Sequence, residues 1–359
     1  MDIMTFAVLG DILGFNISKH KRVRITKKQY GDNYINEGKN IATTQFLTFL
    51  ANGGSNQHTT DKEYSINSLM LMATLKACKN KDNLKKNCSD EYIRVYKKIG
   101  EKNLNNRYRI NSNYLNSLEA LSRNESINFN NMYNDSMVLS RIVPIALLFK
   151  KKEDRTKLIT EIINNLSLTH KNITTYLAGI TLGLFVSYAK YNIETEKWID
   201  KLTDYLLSVE FDSIMKDLKL YSTEFLLEKE DYISMWNEYL NTRQKLNRPE
   251  YVFKNLIPAN RATYLFHRFN ELNAEEFVYG LKADQALITA YDSLLLSDGQ
   301  WQNILLWGMI GITDNSIMGT LCGILFGIVY KFQTLNVNQY IEQPWFKKLE
   351  NLTKDLHFD

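Results

Sequence analysis

The sequence predicts an all-α protein. Apolar residues recur at intervals of three and four through most of the chain, strict alternation over four or more residues is scarce, and only four prolines interrupt 359 residues. Taken in order, the chain opens on an apolar run, MDIMTFAVLG, with Asp2 and Asp11 beside it. Lys21–Ile41 is polar and basic and is expected to form a loop or a short excursion. Ser65–Cys78 (SINSLMLMATLKAC) begins with hydroxyl side chains suited to capping and continues apolar on most faces, which predicts a buried helix. Asn103–Asn134 is dense in asparagine, most of all in RNESINFNNMYND from Arg123 to Asp135, and has the chemistry of turns. Helical spacing then covers Asp135–Lys150, with Pro144 inside it, and Asn172–Lys190, Thr195–Val209, Ser222–Leu246, Ala283–Leu296 and Gln300–Ile310. There is no fixed-period repeat and no linker-like stretch, so one domain over residues 1–359 is the expectation.

The last strongly apolar segment carries Gly319, Gly323 and Gly327, four residues apart and therefore on one stripe of a helix. Glycine costs about 1 kcal/mol against alanine in a helix interior. Such a stripe predicts that another backbone passes very close. In WGMIGITDNSIMGTLCGILFG, from Trp307 to Gly327, the polar island Thr313–Ser316 interrupts this apolar surround. It either caps the helix or belongs to a site.

Composition bounds the partners. Apolar residues make up 44% of the chain, ample for a core, and charged residues 23%, with a net charge of +4. The basic patches Lys19–Arg24, Lys79–Lys86 and Lys150–Lys157 come with no recognition motif, so nucleic acid is not an expected partner. Cys78, Cys88 and Cys322 have neither metal-ligand spacing nor an even count, which points to a reducing, cytoplasmic compartment. No basic n-region precedes the first apolar run, so a signal peptide is not expected. The longest apolar stretches, Leu177–Ala189 and Ile317–Val329, are 13 residues each. A bilayer span takes roughly 20.

Several segments together resemble the ADP-ribosyl glycohydrolase family, and most closely its ADP-ribosylarginine hydrolase branch. Val8–Phe15 (VLGDILGF) is similar to the family's opening Gly-Asp-Ala-Leu-Gly helix, and Leu168–Leu177 (LTHKNITTYL) to its Thr-His segment. Trp236–Arg243 (WNEYLNTR) and Ile288–Trp301 (ITAYDSLLLSDGQW) resemble stretches of the arginine branch. The resemblance spans the chain in order. It implies an orthogonal bundle of helices and hydrolysis of the bond joining ADP-ribose to a protein side chain at a pair of magnesium ions. The implied metal ligands come from a Ser/Thr-Asp-Asp-Thr motif opening one helix and an Asp-x-Asp-Ser/Thr motif opening the last buried one. Hard carboxylate oxygens are what close dications require.

On this chain the first motif falls on Ser65–Ser68 (SINS), with both aspartates replaced, and the second on Asp314–Ile317 (DNSI), with only Asp314 kept. Ser65, Asn67, Asp314 and Ser316 are thus the remnant metal positions that the resemblance implies. Two dications about 4 Å apart repel by roughly 15 kcal/mol at an effective dielectric of 20, which one carboxylate offsets poorly. A register starting earlier would use Thr60, Asp61 and Glu63, with Lys62 among them. The family's glycine-rich, diphosphate-facing segment corresponds to Asn134–Arg141 (NDSMVLSR), which keeps Arg141 but has no glycine, and whose Asp135 repels phosphates. Its Gly-His-Asp-Ala-Pro becomes Ala283–Leu287 (ADQAL). Arg141 and His170 are the candidate ligand contacts, each with a structural alternative, and Tyr176 is a stacking candidate or a core aromatic.

Three functional readings follow. The preferred one is a family member whose metal chemistry has decayed and which binds a partner, ADP-ribose or an ADP-ribosylated protein. The second is a hydrolase acting on ADP-ribosylated arginine with a reduced magnesium site. The third is a purely structural role in an assembly. No residue is assigned a catalytic role.

Overall fold

The structure, a computed structural model, describes residues 2–17, 25–57, 59, 63–127, 134–149, 151–245, 258–269, 280–309, 314–331, 339–354 and 356. All the regular elements among them are helices. The described residues group into two compact units, Met1–Tyr64 with Gln244–Lys348, and Ser65–Arg243 with Leu349–Asp359.

The first unit holds α1 (Asp2–Ile17), α2 (Lys27–Tyr30) and α3 (Tyr34–Ala51). The second begins with α4 (Ile66–Ala77), α5 (Leu84–Ile99), α6 (Glu101–Asn106), α7 (Ser112–Ser122), a 3-10 turn at Ser136–Arg141 and α8 (Ile142–Leu148). It continues with α9 (Arg155–Leu166), α10 (Ile173–Lys190), α11 (Trp198–Leu206), α12 (Val209–Asp217) and α13 (Thr223–Lys245). The chain returns to the first unit with α14 (Pro258–Phe269), α15 (Ala283–Leu295), α16 (Trp301–Met309) and α17 (Asn315–Tyr330), and ends on α18 (Pro344–Thr353). Pro258 and Pro344 are the first residues of their helices, where a missing N–H costs nothing.

The centre of the first unit is α1 against α17, and glycine makes the contact possible. A Cβ built on Gly319 would lie 2.1 Å from the Gly10 carbonyl oxygen, and one on Gly10 would lie 2.0 Å from that of Gly319. Gly323 stands in the same relation to Phe6, at 2.1 Å, and Gly14 to Asn315, at 1.9 Å. The two backbones touch, as the stripe predicts. Beside them Phe6, Trp301 and Phe326 form a cluster with ring centroids 4.9–5.4 Å apart. A buried ion pair ties α14 to α15: Arg261 Nη1 donates to Asp292 Oδ2 at 2.5 Å, while its Nε donates to the Trp307 carbonyl at 3.1 Å.

In the second unit α10 is apolar on nearly every face and is buried through fifteen of its residues, from Ile173 to Tyr188. Its Gly179 and Gly183 admit Leu166 and Ile162 of α9. Phe185 packs between Trp198 and Trp236, and the Thr181 hydroxyl meets Tyr232 OH at 2.8 Å, seating α13.

Three sequence expectations need correction. Of Lys21–Ile41, residues 21–24 lie outside the described residues, but the remainder is largely helical in α2 and α3. Tyr34, Gly38 and Ala42 sit one helical turn apart and are buried, and Tyr34 and Ala42 pack with α14's Ala262, Leu265 and Phe266, a narrow stripe that the surrounding lysines and asparagines obscure. Asn103–Asn134, of which 128–133 are not described, contains α7, started by Asn111 as its cap and anchored by buried Tyr114 and Leu118. Asp135–Lys150 is not one helix. It starts as the 3-10 turn, and Pro144 sits in the first turn of α8, where its ring meets no preceding helical carbonyl.

Candidate functional site

The start of α4 belongs to the second unit and carries the first motif. Ser65 is its N-cap in extended conformation, and Ser65 Oγ accepts from the Asn67 N–H at 3.0 Å and from Asn67 Nδ2 at 2.9 Å. Ile66 and Asn67 are both buried. The Ile66 N–H donates to the Tyr108 carbonyl at 3.0 Å, and Ser140 Oγ to the Asn67 carbonyl at 3.0 Å. Backbone and hydroxyl bonds therefore pin this helix start to α6–α7 and to the 3-10 turn. The earlier register cannot be placed, since Thr60, Asp61 and Lys62 lie outside the described residues.

The start of α17 belongs to the first unit and repeats the arrangement. Asp314 is the N-cap, and its Oδ1 accepts from the Ser316 N–H at 3.1 Å and from Ser316 Oγ at 2.5 Å. Asn315 and Ser316 are buried, and the Thr320 hydroxyl donates to the Ser316 carbonyl at 2.8 Å. Of the polar island, Thr313 lies outside the described residues. The acid serves as a helix cap, placed against the positive end of the helix dipole. Among the described residues no three His, Cys, Asp or Glu side chains come together as a metal-sized group.

Arg141 and His170 are brought close to one another in the second unit. Arg141 is fully buried and faces the C-terminal end of α9, where its Nη2 donates to the carbonyls of Asn165 (3.1 Å) and Leu166 (3.2 Å). Its Nη1 donates to Tyr114 OH at 2.9 Å, and its guanidinium lies 5.1 Å from the Tyr92 ring centroid and 5.5 Å from that of Tyr114. Arg141 is thus a cation on the last carbonyls of a helix with two aromatic rings beside it. The His170 N–H donates to the same Leu166 carbonyl at 2.9 Å, and the imidazole stands edge-on to Tyr114.

The His170 ring is equally occupied. Its Nδ1 lies 2.9 Å from Thr169 Oγ1, and its Nε2 lies 3.4 Å from Asp135 Oδ2, an ion-pair distance without the alignment of a hydrogen bond. The partners assign the proton to Nε2, with the Thr169 hydroxyl donating to Nδ1. Burial, aided by Arg141, holds the imidazole below its usual range in spite of Asp135. Burial pushes the Asp135 carboxyl up, but His170, the Asn111 amide and the Met137 N–H together outweigh it and leave the group more acidic than usual. Tyr176, by contrast, is a core residue whose phenol is pushed up by burial.

A family model, ADP-ribosylglycohydrolase, matches residues 6–357. The chain belongs to the ADP-ribosylglycohydrolase family. A protein of Acanthamoeba polyphaga mimivirus, named as an ADP-ribosyl glycohydrolase, is 24% identical over 209 residues. That match covers 57% of this chain and 39% of the viral protein, so the chain spans well under half of that relative. A solved structure titled ADP-ribosylglycohydrolase-related protein complex superposes with a TM-score of 0.55 over 99% of this chain and 95% of its own, at 13% identity. At that identity the likeness shows the fold, an all-α one. No helix among the described residues is long and apolar enough to cross a membrane.

Trp236, Tyr239 and Tyr291 are buried core aromatics. Sequence reasoning missed Asn111, Tyr114, Tyr92 and Asn165, which complete the surroundings of Arg141 and His170. Asn165 and Tyr92 carry a faint signal as polar groups on otherwise apolar helix faces, and Asn111 lies in a run of asparagines where nothing singles it out.

Proposed function

We propose that this ADP-ribosylglycohydrolase-family protein does not hydrolyse its ligand but binds an ADP-ribose-like group or a protein that carries one. One observation carries the reading: at both helix starts the motif side chains are engaged with each other, Ser65 with Asn67 and Asp314 with Ser316. Magnesium takes six hard oxygens at roughly 2.0–2.1 Å. The α4 start offers a serine hydroxyl that already accepts two hydrogen bonds, a neutral amide and an isoleucine; the α17 start offers one carboxylate, tied to its own cap. Neither start by itself fits a pair of magnesium ions, and no hydrolytic step is assigned to either. Buried thiols at Cys78, Cys88 and Cys322 suit a reducing, cytoplasmic setting.

The test is calorimetric titration with magnesium and with ADP-ribose, beside a turnover assay on an ADP-ribosylated arginine peptide. ADP-ribose binding without tight magnesium binding and without turnover is expected. Magnesium-dependent release of ADP-ribose that disappears in Asp314→Ala would overturn the reading in favour of a working hydrolase.

A further inference from the structure

The buried group around Asp135 is built unlike a helix cap alone. Two donors bond one carboxylate, the Met137 N–H at 2.9 Å to Oδ1 and Asn111 Nδ2 at 2.6 Å to Oδ2, and His170 Nε2 stands 3.4 Å from Oδ2, at ion-pair distance. Behind Tyr114 lies Arg141, fully buried, with no carboxylate at ion-pair distance among the described residues. Converging N–H donors are what receives a small anion. Here that anion is part of the chain. The position is not sealed, because the Asp135 side chain keeps 11% exposure and Asn111 is half-buried.

We propose that Asp135 is a resident anion, filling from within the chain a seat that Asn111, the Met137 N–H and His170 would offer to a carboxylate- or phosphate-sized ligand group, and so closing this edge of the unit to anionic ligands. Its bearing on ligand choice rests on the reading that His170 meets the ligand; the seat itself does not.

Asp135→Ala empties the seat while leaving His170, Asn111 and Arg141 in place. The thermal midpoints of this variant and of the unaltered protein are followed against formate and acetate at constant ionic strength. The variant is expected to melt lower and to recover by roughly 2–4 °C, saturably, as either anion binds, while the unaltered protein does not respond. Equal responses of the two proteins, or none in the variant, would overturn the proposal. If Asp135→Ala does not fold, Asp135→Asn keeps the shape, and the His170 imidazole is titrated by NMR with Arg141 and Tyr114 still facing it. Loss of the carboxylate should lower the His170 pKa further, and an unchanged titration would sink the idea. Neither readout involves ADP-ribose, so failure of the unaltered protein to bind that ligand would leave both results standing.

Discussion

Replacing Gly319 by alanine tests the backbone contact at the centre of the first unit. The added methyl would sit 2.1 Å from the Gly10 carbonyl oxygen, about 1.3 Å short of the 3.4 Å at which ordinary contact begins. Neither atom is the end of a side chain that can swing away, so α1 and α17 must separate along their length. Overpacking typically costs 1–3 kcal/mol and exceeds that range where nothing can yield. Against it stands about 1 kcal/mol gained from replacing glycine inside a helix. The net expectation is a loss of about 2–3 kcal/mol, read as a lower urea midpoint at unchanged slope. Gly10→Ala should cost a similar amount, because its methyl would meet the Gly319 carbonyl at 2.0 Å. The double variant should cost clearly less than the two singles together, since one separation of the helices makes room for both methyls. A Gly319→Ala protein as stable as the parent, or strictly additive losses, would refute the contact.

Three further outcomes follow from the same geometry. Acidification should lower the thermal midpoint in two stages: His170, held below its unfolded value of 6.5, favours the fold above that pH and progressively less as pH falls beneath it, and Asp135, held below 3.8, adds a second loss as pH falls through its folded value. His170→Gln should remove the upper stage and weaken the lower one, because His170 is the foremost of the groups that hold Asp135 acidic, as seen in melting curves across pH. Asp314→Asn should cost only a few tenths of a kcal/mol and Asp314→Ala about 1, the ranking of an N-cap, checked by denaturant titration. Asp292→Asn strips the partner from Arg261, which is wholly buried, and should cost about 3–5 kcal/mol in the same titration.

Much of the fold was legible because burial leaves a period. Ser65–Cys78 and Asn172–Lys190 match α4 and α10 nearly to the residue, since both begin at hydroxyl or amide caps and both are apolar on most faces. Gly319, Gly323 and Gly327 announced a close backbone, though not whose. What escaped was helix held by small or sparse apolar contacts, such as α3, where Gly38 and Ala42 share the buried face and Asn36, Asn40 and Thr44 are exposed. The starts of α4 and α17 were legible as caps because capping is local in sequence. The environment of Arg141 was not, because it is assembled from Tyr92, Tyr114 and the carbonyls of Asn165 and Leu166, whose approach depends on how α5, α7 and α9 pack. A salt bridge was the structural alternative for that arginine, and the end of a helix took the place of the acid.

The glycine seam also imposes an order on synthesis. Gly10 waits for Gly319, 309 positions later, before α1 has its neighbour. At roughly 5–20 residues per second that interval is about 15–60 s on the ribosome. Throughout it α1, buried along most of its length in the folded unit, lacks α17, its main neighbour, while residues 65–243 are already long enough to collapse. Slower elongation between them would lengthen the exposure of that helix and with it the demand for chaperones.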